Sequence, residues 1–215
     1  MTATRPLIVL VAIGCAALVG LQLAGHAGMS AVAKLVASTA FVALAVSRGA
    51  TTYRYGRLML AGLVLSWFGD MFLTSQAQQM FLAGLAAFLL AHIAYASAFI
   101  TRGYHRVWAI VAAIPLTAIA IAVWTWLEPN TPADLSVPVR AYIAVITIMV
   151  IFAISAKGRG GSWLIVSGAI LFFLSDLSVA ALRLLQTPLA TYALGLPAYY
   201  AAQVCFALSI ERQES

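Results

Sequence analysis

Four ionisable residues lie inside long apolar runs of this sequence: Lys34, Asp70, His92 and Asp176. Placing an Asp or Lys near the centre of a membrane-spanning helix costs about 2.5–3.5 kcal/mol on insertion scales. Such groups face a protein interior, find partners and mark function. Two carboxyls can divide acid–base work, one delivering a proton while the other orients or deprotonates water. Arg140 lies nearer the end of its run, where a long cationic side chain can reach the interface. Ser66 is one turn before Asp70, Tyr95 is three residues after His92, and Tyr199 is four before Gln203. At those spacings each pair shares a helical face. A plainer reading stands beside this one. Lys34–Asp70 and Arg140–Asp176 would be ion pairs that only fasten helices. His92 would be a packing residue, and Ser66 and Gln203 interhelical hydrogen-bond residues.

These residues are conspicuous because the chain around them is so apolar. Of 215 residues, 64% are hydrophobic and 8% are charged. A soluble domain has roughly 45–50% apolar and about 25% charged residues. The composition excludes a soluble fold, and it excludes disorder for the same reason. It predicts an all-α fold, a polytopic transmembrane helical bundle forming one domain over 1–215. Eight apolar runs read as spans: 6–24, 31–47, 56–74, 80–100, 106–126, 138–156, 162–182 and 194–210. Cys15 and Cys205 lie within these runs and imply no disulfide framework. No G-x-S-x-G elbow, H-E-x-x-H pair or P-loop occurs. Three His and six acids offer no multi-His metal site, and no cofactor is called for.

Lys and Arg concentrate in alternate connections: Arg48, Arg54 and Arg57, then Arg102 and Arg106, then Lys157 and Arg159. The intervening connections hold only Arg183, and Arg5 and Arg212 flank the termini. By the positive-inside bias, both termini and the basic connections are cytoplasmic. A bacterial cytoplasmic membrane is the expected location. The net charge of +6 is a topology signal, and no nucleic-acid partner is implied. At about 1.5 Å per residue, Lys34, Asp70 and Asp176 fall within about 10 Å of the non-cytoplasmic helix ends. His92 and Gln203 lie deeper. One polar pocket opening to the non-cytoplasmic side is therefore expected.

The two halves also resemble each other. Phe81-x-x-Gly84-x-x-x-Phe88-x-x-x-His92 parallels Tyr192-x-x-Gly195-x-x-x-Tyr199-x-x-x-Gln203. Asp70 and Asp176 each follow a small residue, itself preceded by bulky apolar ones. The offset between them carries Lys34 onto Arg140. A four-helix unit used twice would give parallel repeats. Parallel repeats with intramembrane carboxylates also suit a proton-coupled transporter of a small molecule or lipid.

Taken in order, Lys34, Ser66-Trp-Phe-Gly-Asp70, Gly84-x-x-x-Phe88-x-x-x-His92-x-x-Tyr95, Ser175-Asp176 and Tyr199-Tyr200-x-x-Gln203 resemble the YhhN family of membrane proteins. The resemblance runs from the second span to the eighth. It implies an eight-helix bundle with lysoplasmalogenase activity. Such an enzyme hydrolyses the vinyl ether of a lysoplasmalogen, giving a fatty aldehyde and a glycerophosphoethanolamine or glycerophosphocholine. The lysophospholipid substrate would come from the membrane. On this reading Asp70 and Asp176 are the catalytic pair, with their acid and base roles open. Lys34 and Arg140 would bind phosphate or hold a carboxylate ionised. Ser66, His92, Tyr95, Tyr199, Tyr200 and Gln203 would bind or orient water and the ether.

Overall fold

The computed structural model describes residues 3–75, 77–187 and 191–210. Among these, the chain folds into eight α-helices with no strand. They are α1 (Thr4–Leu23), α2 (Ala27–Ser47), α3 (Arg54–Phe72), α4 (Gln78–Thr101), α5 (Arg106–Leu127), α6 (Ala133–Lys157), α7 (Trp163–Leu185) and α8 (Leu196–Leu208). Arg212 and the C-terminal end lie outside the described residues.

Six helices, all but α3 and α8, are long and apolar enough to cross a membrane on their own. Many of their large side chains are exposed, including Val111, Ile114, Ile121 and Val137. An apolar exterior of this extent suits a lipid solvent, and the protein is an integral membrane protein. The two exceptions have physical reasons. Helix α3 carries Arg54, Arg57 and Asp70, yet it packs between α2 and α4 and buries Tyr55, Met59, Leu63, Ser66 and Asp70. Helix α8 has only 13 residues, and it is enclosed by α7, α2, α1 and α3. A helix sheltered by its neighbours need not present a full lipid-facing length.

Three helix starts depart from the sequence reading, and α2 is the first, beginning at Ala27 rather than near 31. The sixth helix begins at Ala133 rather than near 138, with Pro138 inside its second turn. A proline there removes a single backbone bond, close to the helix end. Helix α8 is preceded by a π-helical turn, Thr191–Gly195, where the last span was expected to begin regularly. A Cβ on Gly195 would collide with the Ser178 side chain of α7, so a larger residue there would force that serine to move.

The helices pack as neighbours in chain order. Helices α1 with α2 and α3 with α4 are matched by α5 with α6 and α7 with α8. Contacts of α4 with α6 and of α2 with α8 join the two halves. At one end, the basic connections gather around the close of α8. Arg48 Nε donates to the Ile210 carbonyl at 3.3 Å, and Arg102 donates to the Ser209 carbonyl at 3.3 Å. Arg102 also lies over the Tyr55 ring at 4.1 Å. The polar site lies toward the opposite end.

Candidate functional site

Asp70 lies in the last turn of α3 and is only 4% exposed. Its Oδ2 accepts from two hydroxyls, Ser38 Oγ of α2 at 2.6 Å and Tyr199 of α8 at 2.7 Å. The Tyr200 hydroxyl stands 3.3 Å from Ser38 Oγ and extends that chain. Lys34 is one turn before Ser38. Its charge reaches Asp70 without a direct ion pair. One turn deeper on α3, Ser66 Oγ lies 3.1 Å from the Tyr95 hydroxyl, which donates to Gln203 Oε1 at 2.9 Å. Tyr95 and Gln203 are fully buried, so this relay ties α3, α4 and α8 behind the carboxylate. The approach of α3 to α4 depends on Gly69. A Cβ there would lie 2.6 Å from the Phe88 ring.

Asp176 lies within α7, with its side chain 15% exposed. Its Oδ2 accepts from the Tyr142 hydroxyl of α6 at 2.7 Å. His92 of α4 brings Nε2 to 3.3 Å from the same oxygen. This is an ion-pair distance without the alignment of a good hydrogen bond. The ring is fully buried between Phe172, with centroids 4.6 Å apart, and Tyr142, at 5.3 Å. Its Nδ1 has no hydrogen-bond partner among the described residues. The Asp176 carboxylate beside Nε2 is thus the polar neighbour that favours a proton on that nitrogen.

The two carboxylates thus belong to separate hydrogen-bonded groups. Phe172, Phe88 and Tyr199 form the aromatic wall between these groups, with mutual centroid distances of 5.4–6.1 Å. Both groups open onto one cavity of about 290 Å³. Its charged lining is Asp70, Asp176, Lys34 and Arg183; Tyr142, Tyr199, Tyr192, Gln22, Ser75 and Ser175 add polar groups, and the rest is apolar, chiefly from α4, α5, α6 and α7. In each carboxylate Oδ2 takes the protein donors, which leaves Oδ1 for a ligand.

The structure brings together most of the residues singled out from sequence. Asp70, Asp176, Lys34 and Tyr199 line the cavity, and His92 contacts Asp176. Ser66, Tyr95, Tyr200 and Gln203 stand behind Asp70. Arg140 does not join them and forms no ion pair with Asp176. It is exposed, donates to Ser136 Oγ at 2.6 Å, and lies over the Trp124 ring at 4.7 Å. Its sequence two residues from Tyr142 explains this. Residues two apart point about 200° from each other on a helix, so only Tyr142 can face α7. Ser38, Tyr142 and Arg183 were not singled out from sequence. The signal for Ser38 was its place one turn after Lys34. The signal for Arg183 was its being the lone cation among the weakly charged connections.

The sequence matches the YhhN family over residues 29–210. It is 31% identical to lysoplasmalogenase TMEM86A of Bos taurus over 163 residues, which cover 73% of this chain and 66% of that protein. The Homo sapiens protein of the same name matches at the same identity and coverage. Lysoplasmalogenase of Mycobacterium bovis is 32% identical over 198 residues, covering 86% of this chain and 71% of that one. The chain thus spans about two thirds of the mammalian relatives' length. No solved structure matches it. With the family matched over most of its length and eight helices of the expected order, the chain belongs to the YhhN family.

Proposed function

We propose that the protein is a membrane-embedded hydrolase of lysoplasmalogenase type, acting on the vinyl ether of a lysophospholipid. The observation that carries this reading is one largely apolar cavity onto which both Asp70 and Asp176 open. The family relatives named lysoplasmalogenase support the substrate class.

Vinyl-ether hydrolysis starts with a proton added to the β-carbon of the double bond. The α-carbon then becomes an oxocarbenium ion, stabilised by an adjacent carboxylate as in glycoside hydrolysis. Water adds to that carbon and gives up a proton. The resulting hemiacetal breaks its bond to the glycerol oxygen, which takes a proton, and the aldehyde leaves. The net change is one water added. The cavity offers groups for each need. Asp176, with the His92 ring 3.3 Å away, is the candidate proton donor. Asp70, steadied by two hydroxyls and near Lys34, is placed to stabilise the cation and to take the proton from water. The apolar walls would hold the chain and exclude bulk water. In orientation, the cavity would open at the end away from the basic connections, on the non-cytoplasmic face.

The test is aldehyde release from lysoplasmalogen by purified protein in detergent. Asp70→Asn and Asp176→Asn should each lower the rate by about 10²–10⁴-fold, the usual worth of a general acid or base. Their melting behaviour should stay cooperative. Wild-type turnover in either variant would sink the two-carboxylate mechanism. Substrate-driven proton flux in proteoliposomes without product would indicate a carrier instead.

A further inference from the structure

We infer that Arg183 is the receptor for the substrate's phosphate, and that it gives the cavity a preference for phosphorylated over neutral glycerol ethers. The inference deepens the function proposed above and rests on its substrate class. Arg183 lines the cavity and follows Asp176 on α7 by seven residues. Seven residues are nearly two full turns, so the two side chains share one face about 10 Å apart along the axis. Helical side chains lean toward the N-terminus, and the guanidinium lies over Phe81 of α4, which lines the same cavity as Asp176. In a glycerophospholipid, five bonds separate the sn-1 ether oxygen from phosphorus, roughly 6 Å when extended at ordinary bond lengths. A ligand with its ether at Asp176 therefore carries its phosphate into the reach of Arg183.

The guanidinium is held in place for this. It donates to Gln78 Oε1 of α4 at 2.9 Å and lies over the Phe81 ring at 4.5 Å. These partners are a neutral amide and a ring face. The charge thus has no carboxylate partner among the described residues. Arg suits this task because its fork matches phosphate oxygens in pairs. Lys34, lining the same cavity, supplies a second positive charge.

The test uses two ligands that cannot be cleaved, so it is independent of turnover. Dissociation constants are measured by native mass spectrometry in detergent for 1-O-hexadecyl-glycerophosphocholine and for 1-O-hexadecylglycerol. Wild type should bind the phosphorylated ligand more tightly. Arg183→Gln should weaken that ligand by about 10- to 100-fold, the worth of charge-assisted bonds, and so collapse the preference. Arg183→Lys should keep part of it. Gln78→Ala cuts the α4–α7 link but leaves the charge, so the preference should survive. The inference is overturned if wild type shows no preference, if Arg183→Gln weakens both ligands alike, or if Gln78→Ala abolishes the preference equally. A protein that binds with this preference but releases no aldehyde would refute the proposed hydrolysis and leave the phosphate receptor standing.

Discussion

The hydroxyl donors to the two carboxylates differ in number, and that difference can be read out kinetically. Among the described residues Asp70 has two, Ser38 and Tyr199, whereas Asp176 has one, Tyr142, beside the His92 ring. Replacing Tyr142 with Phe keeps the ring that packs edge-on against His92 at 5.3 Å and deletes only the 2.7 Å bond. A hydrogen bond to a charged group contributes about 1.5–3 kcal/mol. If Tyr142 holds Asp176 in its reacting geometry, Tyr142→Phe should lower kcat by about 10- to 100-fold. Ser38→Ala leaves Asp70 its second donor, and its loss should be several-fold smaller. The Ser38→Ala, Tyr199→Phe double variant should lose more than the sum of the single effects in free energy, because the first deletion is buffered by the remaining donor. Aldehyde release under saturating substrate gives kcat, and a thermal melt in detergent gives folding for each variant. Equal kcat losses for Tyr142→Phe and Ser38→Ala, at matched melting temperatures, would refute the reasoning. So would a Tyr142→Phe variant that turns over at the wild-type rate.

Other consequences follow from packing, charge and topology. Gly69→Ala places a methyl 2.6 Å from the Phe88 ring and should destabilise by about 1–3 kcal/mol, seen as a lower melting temperature in detergent. His92→Gln removes the imidazole that stands 3.3 Å from Asp176 and should lower kcat by about 10²-fold or more; turnover at the wild-type rate would exclude His92 from proton transfer. Arg140→Gln touches only Ser136 and Trp124 and should change turnover by no more than about twofold, the scale of a surface substitution. A reporter fused after Ser215 should read cytoplasmic, and a non-cytoplasmic signal would place the cavity on the other face.

Asp70 and Asp176 were legible in the sequence because a carboxyl in an apolar run is costly and therefore informative. Gln203 and His92 stood out for the same reason. Helix number was legible because turn residues punctuate the apolar runs. Of the hydroxyl partners only Tyr199 was, through its spacing from Gln203. Ser and Tyr are common in membrane helices, and only the packing of α2 and α6 shows that Ser38 and Tyr142 face the carboxylates. Arg140 shows how charge alone misleads. Its sign and its offset from Lys34 suggested a partner for Asp176, but the angular position of a residue decides what it touches. The early start of α6 at Ala133 has a related cause. Proline was read as the edge of a helix, whereas one within the second turn costs a single backbone bond.

Each carboxylate takes one partner from its own half of the chain and one from the other. Asp70 of α3 takes Tyr199 from α8, and Asp176 of α7 takes His92 from α4. Neither half holds a finished site, so the N-terminal four helices would carry an under-bonded Asp70 until the last helix arrives. During synthesis the cavity is therefore completed only when α8 enters the bilayer. A ribosome that stops after α7 would leave a bundle with most of its lipid-facing surface in place and one carboxylate short of its tyrosine. Quality control that senses unsatisfied polar groups in the membrane would have a specific feature to recognise in such a product.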